Sequence, residues 1–451
     1  MEHVVSTAMA KSSRNLPKST PVKVVGAGIT GLSAALLLAR KKYKVELLES
    51  ESTPGGLLAP VTFEGVAYDR GSHRVHPEAH PLLVELTREA NWQEQRRAGT
   101  LILKGKRLTY PLDPLRFVAG LGLKTTSEMA LGWLTRPGAF QRTMNWEHDR
   151  REVERDEGFE SFVMKRVGEA AYQQFYEPYA RKVWGIEPGE LSQTVAKQRV
   201  STSNPLSSIL RPTVKHFLYP KLGMASLISL LRQKLLDLGG TIRLGESLDL
   251  KTQHSEPIIY TGHLDALAPD FKLTHRGLYL VYMALPRDVL DDTDTWYVPE
   301  SDYWFGRVSQ PEKFSNELSN RRESMLCIEI PEGCWGPNED FTKHARTLVE
   351  QLHAANILNY KVDPTMVYQK FLPRIYPMYT RGWASRQQKA LVAAARHQPI
   401  FPCGRQGLYL HCNMDQAVAT AAAAVEHMSH GGSAEAWVPR CQEFADFRVR
   451  D

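Results

Sequence analysis

The first fifty positions carry a regular alternation of apolar and polar character. Lys23-Val24-Val25 reads as a short strand, Ile29 to Arg40 is apolar at helical spacing, and Tyr43 to Leu48 alternates into a second strand closed by Glu49. That pattern predicts a βαβ unit of about 30 residues. "FEGVAYDRGSHRVHP", Phe63 to Pro77, predicts a hairpin followed by a Gly-Ser-His loop, and "LILKGKRLTYPLDP" a second hairpin around Lys104-Gly105-Lys106. Leu115 to Phe140 reads as helices broken by glycines, and Gln141 to Phe159 as a charged, solvated helix face with Glu147 and Arg151 at i,i+4. Phe159 to Thr202 predicts two helices parted at Pro188-Gly189, the second capped by Ser192. A turn, a long amphipathic helix stopped by Gly239-Gly240 and a strand follow, then a strand ending at Thr261-Gly262. Leu273 to Ile330 alternates as an antiparallel sheet does. Helices resume from Phe341 to Leu358, and "GLYLHCNMDQAVATAAAAVEHM" predicts a strand, a turn and an alanine-rich helix.

The turn between the first strand and helix is Gly26-Ala27-Gly28-Ile29-Thr30-Gly31, the spacing G-x-G-x-x-G. Three glycines at that spacing are weak evidence alone; a strand before, a helix after and an acid about 20 residues on strengthen them. Gly26 permits the tight turn, Gly28 lets backbone approach a pyrophosphate, and Gly31 lets helix and strand pack. The helix N-terminus, at Ile29 and Thr30, offers free N–H groups to phosphate. Glu49 suits a ribose 2′-hydroxyl and repels a 2′-phosphate, so NADP is disfavoured and FAD or NAD remain.

Composition narrows the class. A chain of 451 residues suits two or three domains, and 42% apolar with 24% charged residues is ordinary for a globular protein. The net charge of +6, from 56 Lys and Arg against 50 Asp and Glu, favours anionic ligands only mildly. No basic block interleaved with aromatics points to nucleic acid. The five cysteines, Cys327, Cys334, Cys403, Cys412 and Cys441, form no C-x-x-C pair. They read as free thiols of a reducing compartment, which points to a cytoplasmic protein. The first 20 residues lack the apolar core of a secretory signal. Leu115 to Leu134 is apolar enough to rest on a membrane surface, but a buried helix explains it as well and is preferred.

The order of these motifs resembles flavoproteins of the amine oxidase superfamily, from about residue 21 to 430. "YPKLGMASLISLL", "KVWGIEPGELSQTVAKQRV" and "WYVPESDYWFGRVSQPEKFS" look like protoporphyrinogen-oxidase-like members. "RGSHRVHP", "IIYTGHLD" and "PCGRQGLYLHCNMDQAV" look like UDP-galactopyranose mutase. The resemblance implies an α/β fold: a Rossmann-type, glutathione-reductase-like FAD domain with an inserted substrate domain of antiparallel sheet plus helices. The FAD domain would take residues 21–75, 216–270 and 396–432, and the substrate and helical domain 76–215 and 271–395. Residues 1–20 and 433–451 would be tails. By motif, Gly26, Gly28 and Gly31 face the FAD pyrophosphate, Glu49 the adenosine ribose, and Gly55, Gly56 and Leu57 pass close to the cofactor. His73 takes the place of the histidine beside the isoalloxazine in the mutase loop Gly-Pro-His-x-Phe-His. Arg405 matches an arginine reaching the flavin or ribityl chain, and Met414 and Asp415 the start of the last helix, whose N–H groups would stabilise charge at flavin N1 and O2.

The departures leave the chain between the two relatives. His411-Cys412 stands where oxidases usually have glycine, and the Leu-Pro-Tyr-Arg-Ser-Leu stretch of the mutases is missing. Candidates for substrate contact are Arg307, Arg374, Tyr376 and Tyr379, with His73 or Tyr376 as the base; Arg374 and Tyr376, at i,i+2 on a strand, would point to one side. Tyr179, Lys182 and Trp184 are further pocket candidates. The leading expectation is an FAD-dependent oxidoreductase that transfers hydride to flavin N5 from a medium-sized sugar, lipid or secondary-metabolite intermediate. The alternatives are a nucleotide-sugar mutase without net redox, and a flavin-binding chain that assembles with a partner enzyme. The partner is a small-molecule substrate, with no nucleic acid and no metal, and a homodimer is compatible with the sequence.

Overall fold

The computed structural model describes residues 16–110, 120–136, 156–199, 216–318, 322–334, 340–396, 399–444 and 447. Of the charged helix face predicted over 141–159, residues 141–155 lie outside them; 156–158 are not helical, and Phe159 begins the helix Phe159–Val167. Two sheets carry the fold. The first has five parallel strands in the order Ile400–Pro402, Ile258–Tyr260, Pro21–Val25, Lys44–Glu49 and Thr241–Leu244. Its centre is buried on both faces, which is why Val22, Val24, Leu47, Ile258 and Ile259 are all apolar. The helix Ile29–Arg40 covers it, packed between Ala225–Asp237 and the alanine-rich Met414–Ser429. Small side chains such as Ala34, Ala35, Ala421 and Ala424, all fully buried, let these helices approach closely.

The second sheet has seven strands in the order Met366–Pro377, His275–Pro286, Glu323–Pro331, Arg307–Ser309, Thr295–Tyr297, Gly99–Leu103 and Lys106–Tyr110. All its pairings are antiparallel except that of Thr295–Tyr297 with Gly99–Leu103. The strand His275–Pro286 corrects the expected alternation: after His275-Arg276-Gly277 its residues, "LYLVYMALP", form an unbroken apolar run. Tyr279, Val281 and Met283 pack under the helix Ala345–Ala354, whereas Leu280, Tyr282 and Ala284 face Val61 and Tyr68. Both faces are covered, so neither is polar.

Helices and hairpins occur largely where the pattern places them. Ser192 caps Gln193–Arg199 by accepting from the Thr194 N–H at 3.1 Å. Leu123–Leu134 is one helix of the predicted 115–140 stretch, and it corrects the buried-helix expectation: none of its residues is buried, and Leu123, Leu131 and Leu134 are exposed. The C-terminal "GLYLHC" is not a strand. A short helical turn, Gly404–Gly407, leads into an irregular segment in which Tyr409 adopts φ 51° and Leu410 N donates to Arg405 O. Ile400–Pro402 supplies the strand instead. Among the described residues no helix is long and apolar enough to cross a membrane.

Candidate functional site

The glycine loop joins the first strand to the first helix at the C-terminal edge of the parallel sheet. Gly26 sits at φ 96°, a region L side chains rarely enter, and a Cβ at Gly31 would overlap the Gly26 carbonyl oxygen. The chain around Gly55 and Gly56 crosses this loop: Gly55 N donates to Ala27 O at 2.9 Å, and Gly28 and Gly55 form a bridge. Glu49 is buried. Its Oε2 accepts from Ala27 N at 2.6 Å and its Oε1 from Glu51 N at 3.0 Å, so it pins the loop to the second strand. Oε1 also accepts from Ser50 Oγ at 3.3 Å, and Oε2 retains a further lone pair. The helix Ile29–Arg40 starts without a side-chain cap, which leaves its first N–H groups for another acceptor.

A second loop, Asp69 to His76, enters the space between the two sheets. Asp69 anchors it: the Tyr219 hydroxyl donates to Oδ2 at 2.7 Å, Met224 N to Oδ1 at 3.0 Å, and the Tyr282 hydroxyl to the Asp69 carbonyl at 2.6 Å. Glu329, on a sheet strand, reaches up to the loop and accepts from Ser72 N at 3.1 Å. The same carboxylate takes Arg307 in a two-pronged pair, Nε to Oε1 at 2.8 Å and Nη2 to Oε2 at 2.7 Å. Burial opposes the Arg307 charge, but Glu329 outweighs it and holds the guanidinium protonated. The Glu329 side chain is 5% exposed and that of Arg307 30%, so the arginine presents its free edge to open space from a deep position.

His73 follows directly. Its Nδ1 is buried without a partner. Burial pushes its pKa down to about 4; Arg307 and Arg405 push the same way, against Glu329. The imidazole is therefore neutral near pH 7 and presents an uncharged ring. Arg405 donates to Ile375 O at 3.2 Å and Cys412 O at 3.1 Å, contacts His411 Nδ1 at 3.2 Å, and lies 5.5 Å over the Tyr376 ring. Trp184, Tyr376 and His411 form an aromatic triangle with centroids 5.7 to 6.1 Å apart.

The family described as flavin containing amine oxidoreductase matches residues 29–250. Over that stretch the chain is similar to the flavin amine oxidases. It is 23% identical over 194 residues to protoporphyrinogen oxidase 2, chloroplastic/mitochondrial, of Arabidopsis thaliana, covering 42% of this chain and 37% of that protein. It is 24% identical over 180 residues to dTDP-fucopyranose mutase of Escherichia coli, covering 39% and 45%. The chain thus spans less than half the length of these curated relatives. The crystal structure of reduced UDP-galactopyranose mutase superposes with a TM-score of 0.77 at 20% identity, over 96% of this chain and all of the other, which establishes a shared mixed α/β fold.

For a flavin amine oxidase relative the cofactor is FAD, and the residues present fit it. The crossing of two glycine backbones leaves no side chain over the helix start, Glu49 Oε2 keeps a lone pair for a hydroxyl, and His73 Nδ1 lacks a protein partner in a cleft. Of the sequence candidates, the cleft gathers His73, Arg307, Tyr376 and Arg405. Gly55 and Gly56 meet the Gly28 backbone, and Leu57 packs beside the sheet. Met414 and Asp415 open the last long helix, and Asp415 Oδ2 accepts from His80 N at 2.8 Å.

Two candidates lie elsewhere. Arg374 has φ 59° in a bulge opposite Gly277, which breaks the strand alternation and turns its side chain outward onto Asp265; it does not share a side with Tyr376. Tyr379 is fully buried, stacked on Trp383 at 3.7 Å, with its hydroxyl accepting from His411 N at 2.7 Å; it packs the core rather than meeting a ligand. Of the pocket candidates, Lys182 is buried on the carbonyls of Val298 and Phe305 at 3.0 and 2.8 Å, and burial lowers its pKa to about 8. Tyr179 stacks with Phe175. Glu329 and His411 were not among the sequence candidates. The signal for Glu329 was present: a lone carboxylate inside the apolar run "MLCIEI". Its partner across the sheet could not be read from spacing.

Proposed function

We propose that the chain is an FAD-dependent oxidoreductase acting on a medium-sized polar organic substrate, a sugar, lipid or secondary-metabolite intermediate. In this reading Gly26 to Gly31 and the helix start bind the pyrophosphate, Glu49 the adenosine ribose, and Arg405 with the Met414–Asp415 helix start the ring system. FAD supplies a hydride acceptor at N5. The chain's own groups do the rest. Neutral His73 accepts the proton of a substrate hydroxyl or amine at Nδ1. Burial keeps this ring unprotonated near pH 7, so its nitrogen is available to accept. Arg307, fixed at two points by Glu329, uses its remaining N–H groups to orient a substrate oxygen. Tyr376 and Trp184 wall the site and exclude water.

The observation that carries this reading is the buried, unpartnered His73 Nδ1 beside a fixed cation. The test is anaerobic bleaching of the flavin band by panels of alcohols, amines and sugars. Bleaching by one class, lost in His73→Ala with FAD retained, supports it. A second reading, a nucleotide-sugar mutase without net redox, draws support from the same fixed Arg307, which would suit a phosphate, and from the similarity to two mutases. Isomerisation of a nucleotide sugar by the reduced protein, with no bleaching by any panel member, would overturn the oxidoreductase reading in its favour.

A further inference from the structure

A separate cluster lies where the two sheets meet, outside the cleft. His263 and Asp265 follow the parallel strand Ile258–Tyr260, and His275 begins the long antiparallel strand His275–Pro286. One ligand atom from each of the three lies within 4.8 Å of the others. His263 Nδ1 stands 3.4 Å from His275 Nε2, long for a hydrogen bond between two ring nitrogens. It is the separation of two nitrogens that each stand about 2.0–2.1 Å from a tetrahedral zinc ion.

The surroundings prepare both rings as ligands. His275 also bonds the Leu273 backbone in a way that favours its protonated ring, so the ring donates there; such a bond fixes the tautomer and ring orientation of metal-binding histidines. Burial lowers both imidazoles to about 4, with Arg374 adding to the effect at His263 and the neighbouring ring at His275. Both are neutral near pH 7, the form that binds metal. Asp265 contributes the negative charge. Arg374 Nη2 engages both of its oxygens. The positive φ at Arg374 places that guanidinium on Asp265, where it occupies the position a metal ion would contest. All three ligands are half-buried, so an ion and its remaining waters have access.

We propose that His263, Asp265 and His275 form a binding site for one divalent transition ion with zinc-like preference for imidazole and carboxylate, water completing the shell. Binding moves the His263 proton to Nε2, frees one Asp265 oxygen from Arg374, and breaks no covalent bond. The ion ties the loop after Tyr260 to the first residue of the strand His275–Pro286. Because Arg405 donates to Ile375 O and Gln406 to Arg374 O, the clasp also steadies the strand behind the cleft.

The test is titration of the metal-free full chain with Zn2+ and then Co2+. One equivalent of Zn2+ should bind and raise the melting temperature. The bound Co2+ spectrum should show nitrogen and oxygen ligands without thiolate charge-transfer bands. His263→Ala and His275→Ala should each weaken binding at least about tenfold, and His263→Gln and His275→Gln should do the same with the circular dichroism preserved. Arg374→Ala should tighten binding, because it removes the competing cation. If the histidine variants do not fold, Arg374→Ala decides alone. No binding at millimolar Zn2+, thiolate bands, or weaker binding in Arg374→Ala would each overturn the site. None of these readouts depends on FAD or turnover, so the site stands or falls separately from the oxidoreductase reading.

Discussion

Replacing Glu329 by glutamine tests the polar centre of the cleft. Glutamine keeps the shape and one acceptor for Ser72 N and Arg307 Nε, but it turns an N–H pair toward Arg307 Nη2, where the native contact is 2.7 Å. Removing one partner of a buried ion pair costs about 3–5 kcal/mol, because the other charge stays uncompensated. The 30% accessibility of Arg307 lets water screen the orphaned cation, so the lower figure of about 3 kcal/mol applies. For a cooperative unit of about 150–250 residues that corresponds to about 6–12 °C in melting temperature. The double variant Arg307→Met, Glu329→Gln removes the stranded charge and should recover part of the loss, a coupling of at least about 1 kcal/mol. The assay is thermal unfolding of the parent, Glu329→Gln, Arg307→Met and the double variant, by circular dichroism and by release of flavin fluorescence. A Glu329→Gln melting point within about 1 °C of the parent, or strict additivity in the cycle, would show that the pair contributes little.

Three further outcomes are expected. Gly31→Ala forces a Cβ onto the Gly26 carbonyl; overpacking of this kind costs about 1–3 kcal/mol, so FAD affinity measured by fluorescence quenching should fall about ten- to hundredfold. Asp69 is raised by burial to about 7, against the Tyr219 and Met224 bonds. Its folded form holds a proton that the unfolded chain has lost, so the stability it contributes is full below pH 4 and disappears as pH rises to about 7, on the order of a few kcal/mol. Denaturant midpoints of the parent minus those of Asp69→Asn should show this slope, and parallel curves would refute it. Because the His73 pKa lies near 4, the pH profile of kcat/KM should show no limb near 6.5 that His73→Ala removes.

The dinucleotide loop was legible because its requirements are local: a strand, three glycines, a helix and an acid all fall within 30 residues. Ser192 and the Glu64-Gly65 hairpin were legible for the same reason, each fixed by a turn or a cap. Arg374 was misplaced because alternation presumes a regular strand, and the positive φ that breaks it answers to pairing with a strand a hundred residues away. Tyr409, likewise at positive φ, stops "GLYLHC" from extending although its residues favour strand. The strand His275–Pro286 hid its period because both faces are covered. Glu329 acquires its meaning only from Arg307 and Ser72, which the fold brings to it from 22 and 257 positions away.

The parallel sheet joins segments far apart in the chain, and this sets an order on synthesis. Pro21–Val25 and Lys44–Glu49 leave the ribosome well before Ile400–Pro402 of the same sheet and the helix Met414–Ser429. With roughly 370 residues between Arg40 and Met414, translation at about 5–20 residues per second leaves the apolar helix Ile29–Arg40 without one of its covers for about 20–75 s. In the reading proposed above, the FAD site is therefore completed only once Arg405 and the helix Met414–Ser429 have been made.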